Sequence, residues 1–135
     1  MANALYGLGR EGFLGGDIDW DVDTVKVALI DTALYTVAID THQFLSEVAA
    51  GSRIATSAAL SSKTKALGVA GAANVVFTAV SGATSEALVI YQDTGNEATS
   101  RLIAYIDTAT GLPVIPNGTD INLNWDAGVN KIFKL

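Results

Sequence analysis

The chain contains no cysteine, one histidine, one methionine and two prolines. Without cysteine, neither a disulfide framework nor a thiolate metal site can form. A single histidine, His42, leaves little acid–base chemistry, and no Gly-x-Ser-x-Gly elbow accompanies it. The expectation is a protein that is not an enzyme and uses no cofactor. Charge is scarce as well, at 16% of residues against roughly 25% in an average soluble domain. The eight Lys and Arg residues form no run, and the net charge is −6. Phosphate binding rests on clustered cations, so nucleic acid is not an expected partner. The first residues lack the basic, apolar, small-residue order of a signal peptide. Ala66 to Ser85 spans 20 residues without a charge, about the length of a bilayer span. It is rich in Ala and Gly and poor in Leu and Ile, which argues against a membrane segment.

What the chain has in surplus is apolar surface. Hydrophobic residues make up 50% and the mean hydropathy is +0.36. At 135 residues one domain can bury a substantial core. The remaining apolar surface is expected to be covered by other chains, through self-association as a dimer or trimer.

The stretch from Ser85 to Thr108 organises the rest. Two β-branched and aromatic runs, Ala87–Gln92 and Leu102–Ile106, flank a polar loop containing Gly95 and Asn96, the pattern of a β-hairpin with a long loop. Strict alternation puts Leu88 and Ile90 opposite in face to Val89 and Tyr91, and Leu102, Ala104 and Ile106 opposite to Ile103 and Tyr105. Both faces are apolar, so the hairpin belongs inside a sandwich or against a neighbouring subunit. Further strands are expected at Thr24–Ile30, Ser52–Leu60, Lys63–Val69, Val75–Val80, Ile121–Trp125 and Val129–Leu135, with a turn at Asp126-Ala127-Gly128. About seven strands at this spacing indicate an all-β fold with minor helix, a β-sandwich of jelly-roll type. Asn117-Gly118 is a favoured turn pair.

Two short helices are expected. Residues 3–14 carry Leu5, Leu8 and Phe13 at helical spacing, with Asn3 placed as N-cap. Gly7, Gly9 and Gly12 weaken this helix by roughly 1 kcal/mol each, so it is expected to gain order only by docking. Residues 1–16 are accordingly read as an N-terminal helical arm and 17–135 as the sandwich domain. The second helix covers 42–48, capped by Asp40 or Thr41. Gly7-Leu8-Gly9-Arg10-Glu11-Gly12 has the form of a dinucleotide fingerprint, but too few residues precede it for the strand that such a site requires. Asp17, Asp19, Asp21 and Asp23 alternate with apolar residues, so an extended chain would line four carboxylates along one side. They lack the Gly and Glu positions of an EF-hand loop. A charged strand edge is the simpler reading, with a shared cation site as the sharper one.

Several strings carry a resemblance. Thr41-His42-Gln43-Phe44-Leu45, Ser85-Glu86-Ala87-Leu88-Val89-Ile90-Tyr91, Ala98-Thr99-Ser100-Arg101-Leu102-Ile103-Ala104-Tyr105-Ile106-Asp107 and Lys131-Ile132-Phe133-Lys134-Leu135 resemble a group of small virion structural proteins of tailed bacteriophages. The resemblance implies a capsid cement or decoration protein on the outer surface of the head, made in the bacterial cytoplasm and bound to the major capsid protein. An acidic chain suits the outer face, away from packaged DNA. A tail or neck component is the alternative, and a small-ligand-binding β-barrel a second one. No small-molecule substrate is implied. The expected interface comprises Leu5, Tyr6, Leu8 and Phe13 of the arm with Tyr91 and Tyr105 of the hairpin.

Overall fold

The computed structural model describes residues 3–108, 111–125 and 131–135. The chain folds as an all-β, sandwich-like domain with one short α-helix. In order, the elements are β1 (Ala4–Leu5), α1 (Gly7–Gly15), β2 (Val25–Ile30), β3 (Arg53–Thr56), β4 (Thr64–Ala66), β5 (Val69–Gly71), β6 (Val75–Phe77), β7 (Ala87–Gln92), β8 (Leu102–Ile106), β9 (Ile121–Leu123) and β10 (Phe133–Lys134). They form an antiparallel five-stranded sheet ordered β1-β8-β7-β2-β3, a three-stranded sheet β10-β5-β4 and a pair β6-β9. None of these sheets closes on itself among the described residues, so the ligand-holding barrel is not the architecture.

The hairpin expected at the centre is there. β7 is the middle strand of the large sheet, and every residue of β7 and β8 is buried. One face of the sheet packs Val25, Val27, Leu29, Leu88 and Ile90 against Phe77, Leu123, Ile132 and Trp20 from the smaller sheets and the turn before β2. The other packs Ala28, Ile30, Val89, Tyr91 and Tyr105 against Tyr6, Tyr35, Leu45 and Val48. An antiparallel sheet with both faces apolar needs a cover on each, and the chain supplies both covers itself.

The alternation expected for β8 holds only in part. Tyr91 pairs with Leu102 and Ile90 with Ala104, so the register shifts between them and Ile103 is an extra residue. This β-bulge moves Leu102 to the face of Tyr91 and Tyr105, and leaves Ile103, Ala104 and Ile106 together on the other. Lys63–Val69 likewise is not one strand. The chain reverses at Leu67-Gly68, making a β4–β5 hairpin. The turn expected at 126–128 lies outside the described residues.

The segment 3–15 is built into the fold. β1 pairs with β8, Ala4 to Tyr105 and Leu5 to Ala104, and Tyr6 is fully buried. The described part of the expected arm therefore shares the core of residues 17–135. Asn3 does not cap the helix. Its Oδ1 accepts the N–H groups of Asp107 and Thr108, each at 2.9 Å, and its Nδ2 donates to the Thr108 carbonyl. The expected helix over 42–48 shrinks to one 3-10 turn, Leu45–Glu47. The reason is competition from the sheet: Leu102 N–H donates to the Gln43 carbonyl and Leu45 N–H to the Ser100 carbonyl, both at 2.8 Å. Those two groups are thereby lost to helix formation.

Candidate functional site

The aspartate run is a turn, not a strand. Asp19 Oδ1 accepts the N–H of Asp21 at 3.0 Å and of Val22 at 3.3 Å, and Asp23 Oδ2 accepts the Asp19 N–H at 2.8 Å. Short acidic side chains compete with the strand ladder for backbone N–H groups, which is why alternation fails here. The carboxylates then separate: Asp17 lies 3.6 Å from Arg101, Asp21 pairs with Lys65, and Asp23 accepts from Gln92 Nε2 at 2.6 Å. No group of three or more metal-ligating side chains is gathered among the described residues.

What this turn does position is Trp20. Its Nε1 donates to the Thr64 carbonyl at 3.0 Å, tying the turn to β4. Its ring meets Phe133 of β10 edge-on at 5.3 Å, and Phe133 in turn lies 6.1 Å from Phe13 of α1. Such tilted aromatic contacts add about 0.5–1.5 kcal/mol each beyond burial. The three rings form the floor of a cleft of about 480 Å³ between α1, the 16–20 turn and the β4–β5 hairpin, with Val69 and Ala70 on its wall.

The lining of that cleft includes exposed apolar side chains beside Asp19 and Lys65. Leu67 at the hairpin tip is 95% exposed and Leu135 is 53% exposed. Leu67 also sits at φ +53°, followed by Gly68 at φ +79°. Two successive positive φ values make a two-residue turn of the kind that favours Asn or Asp before Gly. A leucine in that conformation costs roughly 1–2 kcal/mol, and exposing it forfeits its burial too. At 95% exposure, Leu67 gains almost no burial from the described residues to offset either cost. An exposed apolar cluster of this sort marks a contact surface.

A second constellation lies on the other face of the large sheet. The hydroxyls of Tyr6 and Tyr35 share a hydrogen bond at 2.8 Å, and the Tyr35 hydroxyl is 2.8 Å from Nδ1 of His42. The Tyr35 ring also packs 6.5 Å from that of Tyr105. Burial drives the Tyr6 hydroxyl far above its ordinary pKa, with the Tyr35 bond adding to the effect. Burial likewise pushes Tyr35 up to about 12, although its bond to Tyr6 acts against the rise. These are neutral, sheltered hydroxyls that tie segment 35–42 to the N-terminal segment. His42 takes part in the same chain of hydrogen bonds through Nδ1.

The expected interface residues divide accordingly. Tyr6, Tyr91 and Tyr105 are 0–5% exposed and belong to the core, so they offer no surface to another chain. Their aromatic bulk is used to fill the space between the sheet and segment 35–48. Leu5 is half-buried against the core, Leu8 is half-buried, and of the four arm residues only Phe13 lines the cleft. Trp20, Leu67 and Phe133 were not expected there. Gly68 after Leu67 is the one sequence signal for the turn that exposes the leucine. The uncharged 66–85 stretch forms part of this hairpin and β6, and no described helix is long and apolar enough to cross a membrane. No protein-family model matches the chain, and no curated protein matches it.

Proposed function

We propose that the protein is a structural component of a tailed-bacteriophage particle, a cement protein that bridges neighbouring major capsid subunits on the outer face of the head. The observation that supports bridging is the placement of exposed apolar side chains at both ends of the β2–β7 ladder. Val25 pairs with Gln92 at one end and Ile30 with Ala87 at the other. Beyond the Val25 end lie Val22, 78% exposed, and the cleft with its leucine rim. Beyond the Ile30 end lie Leu34, 59% exposed, and Ile115, 76% exposed, next to Val114, which bridges Ser85. Six paired residues separate the two groups by about 20 Å. A rigid core with an apolar contact at each end is suited to holding two neighbours at a fixed spacing.

The energetic gain comes from the second contact. Association costs roughly 4–15 kcal/mol in lost freedom. A bound copy meets its second neighbour intramolecularly, without that full cost. The resemblance to phage virion proteins supplies the setting, and the acidic balance agrees with the outer face. The test is to heat DNA-filled heads with and without the protein. Complete heads should retain DNA to a higher temperature, and the protein should bind assembled heads but not free capsid subunits. Equal release temperatures, or recovery of the protein only with purified tails, would replace the cement reading by the tail or neck one.

A further inference from the structure

We infer that the cleft end of the molecule is closed by a second copy of the same chain, in a two-fold pair in which Leu67 of each copy enters the cleft of the other. A two-fold interface must be self-complementary, because the same patch serves both partners. This patch meets that condition in shape. It carries a projecting apolar side chain, Leu67 at 95% exposure, beside a recess of about 480 Å³ floored by Phe13, Trp20 and Phe133. Leu67 stands on a two-residue turn between paired strands, so it is presented on a rigid support.

The charges select the same occupant. The chain as a whole carries −6 and would repel its own copy. At the cleft end, however, Arg101 faces Asp17 and Lys65 pairs with Asp21. Asp19 and Asp23 accept backbone N–H groups, Asp23 also accepts from Gln92, and Lys63 donates to the Asp23 backbone carbonyl. The face carries both signs, so its charge is less one-sided than that of the chain as a whole. A strongly basic partner would find these carboxylates already engaged, and an acidic one would gain little from cations already paired. A second copy brings an apolar knob and a rim of both signs together. The pairing is a property of the free chain and goes beyond the capsid reading; on that reading the pair must open before the cleft end meets a capsid subunit. Heads that ignore the protein would refute that reading and leave the pair standing.

Sedimentation of the purified full chain over a concentration series up to about 1 mM tests the pair, with Leu67→Asn as the decisive variant. Asn accepts positive φ more readily than leucine does. Measured where the wild type is monomeric, the variant should therefore melt no lower than wild type, and by about 2–6 °C higher. Its dimerisation should nonetheless need at least about tenfold more protein, since each copy loses one buried leucine. A wild type that stays monomeric throughout, one that forms trimers or open-ended chains, or a Leu67→Asn variant that dimerises as wild type does would each overturn the inference. A variant that melts lower but still loses the dimer is separated from misfolding by Leu67→Gly, which also fits the turn. Dimerisation by Leu67→Gly at wild-type concentrations would overturn the inference, and its loss in a folded Leu67→Gly protein would support it.

Discussion

Gly9→Ala is expected to destabilise the domain by about 2–3 kcal/mol, although alanine is the better helix former. A Cβ at position 9 would stand 2.5 Å from the Leu102 carbonyl oxygen and 3.2 Å from the Ile103 Cα. Both are backbone atoms of β8, which is held on one side by β7 and on the other by β1. They cannot turn aside as a side chain would. The helix must lift away from the sheet, and the contact of α1 with β8 loosens with it. Propensity returns only about 1 kcal/mol, less than overpacking costs at a site this rigid. Gly7→Ala is the matched control. Its Cβ would meet first the Oδ1 of exposed Asp40 at 3.2 Å, a group free to move. The helix propensity gain should then dominate, so Gly7→Ala should be neutral or slightly stabilising. Denaturant melts of the two variants give the comparison, and equal midpoints would show that α1 does not pack on β8 this closely.

That pair of glycines also shows where the sequence was legible and where it was not. The spacing Gly7-x-Gly9-x-x-Gly12 marked the segment as unusual, and two of these glycines stand at close packing contacts. Gly9 and Gly12 are three apart, so they share a face of α1 and let it approach β8 and Ile18. Helix propensity alone describes them as a cost, because the compensating contacts lie outside the helix, for Gly9 about 90 residues away in the chain. The hairpin of β7 and β8 was readable because apolar character on both faces is a local property with one structural solution. The bulge at Ile103 was not, since alternation assumes one residue opposite one. For the aspartates, a strand and an Asx-type turn compete locally, and the turn prevails through backbone N–H groups that the pattern of side chains does not register. The cleft depends on four separate segments, α1, the 16–20 turn, the β4–β5 hairpin and β10. Only its hairpin turn, through Gly68, has a signature in one stretch of sequence.

Between pH 10 and about 12 the domain should lose about 4–5 kcal/mol of stability and unfold cooperatively, with tyrosine ionisation and loss of structure occurring together. The chain has four tyrosines, and all four are buried: Tyr6, Tyr35, Tyr91 and Tyr105 are 0%, 5%, 4% and 5% exposed. Burial raises the pKa of every one, that of Tyr35 to about 12 and that of Tyr6 further still. In the unfolded chain each hydroxyl returns to about 10. Below pH 10 both states hold these protons, and the stability is fully present. Above it the unfolded chain releases protons that the folded one keeps. Stability then falls by about 1.4 kcal/mol per pH unit for each hydroxyl that stays neutral. Tyr6 continues to contribute to the fall throughout this window, whereas the contribution of Tyr35 levels off near pH 12. Together they account for the loss stated, a large part of the roughly 5–15 kcal/mol that holds a domain of ordinary stability. Tyrosinate absorbance and near-ultraviolet circular dichroism, followed in one alkaline titration, should change over the same narrow interval. Tyr35→Phe should make the fall in stability between pH 10 and 12 shallower, since it removes one of the two steepest contributions. It should also lower stability below pH 10, because the buried Tyr6 hydroxyl loses its partner. Tyrosines that ionise gradually around pH 10 in a protein that remains folded would contradict the buried Tyr6–Tyr35–His42 chain.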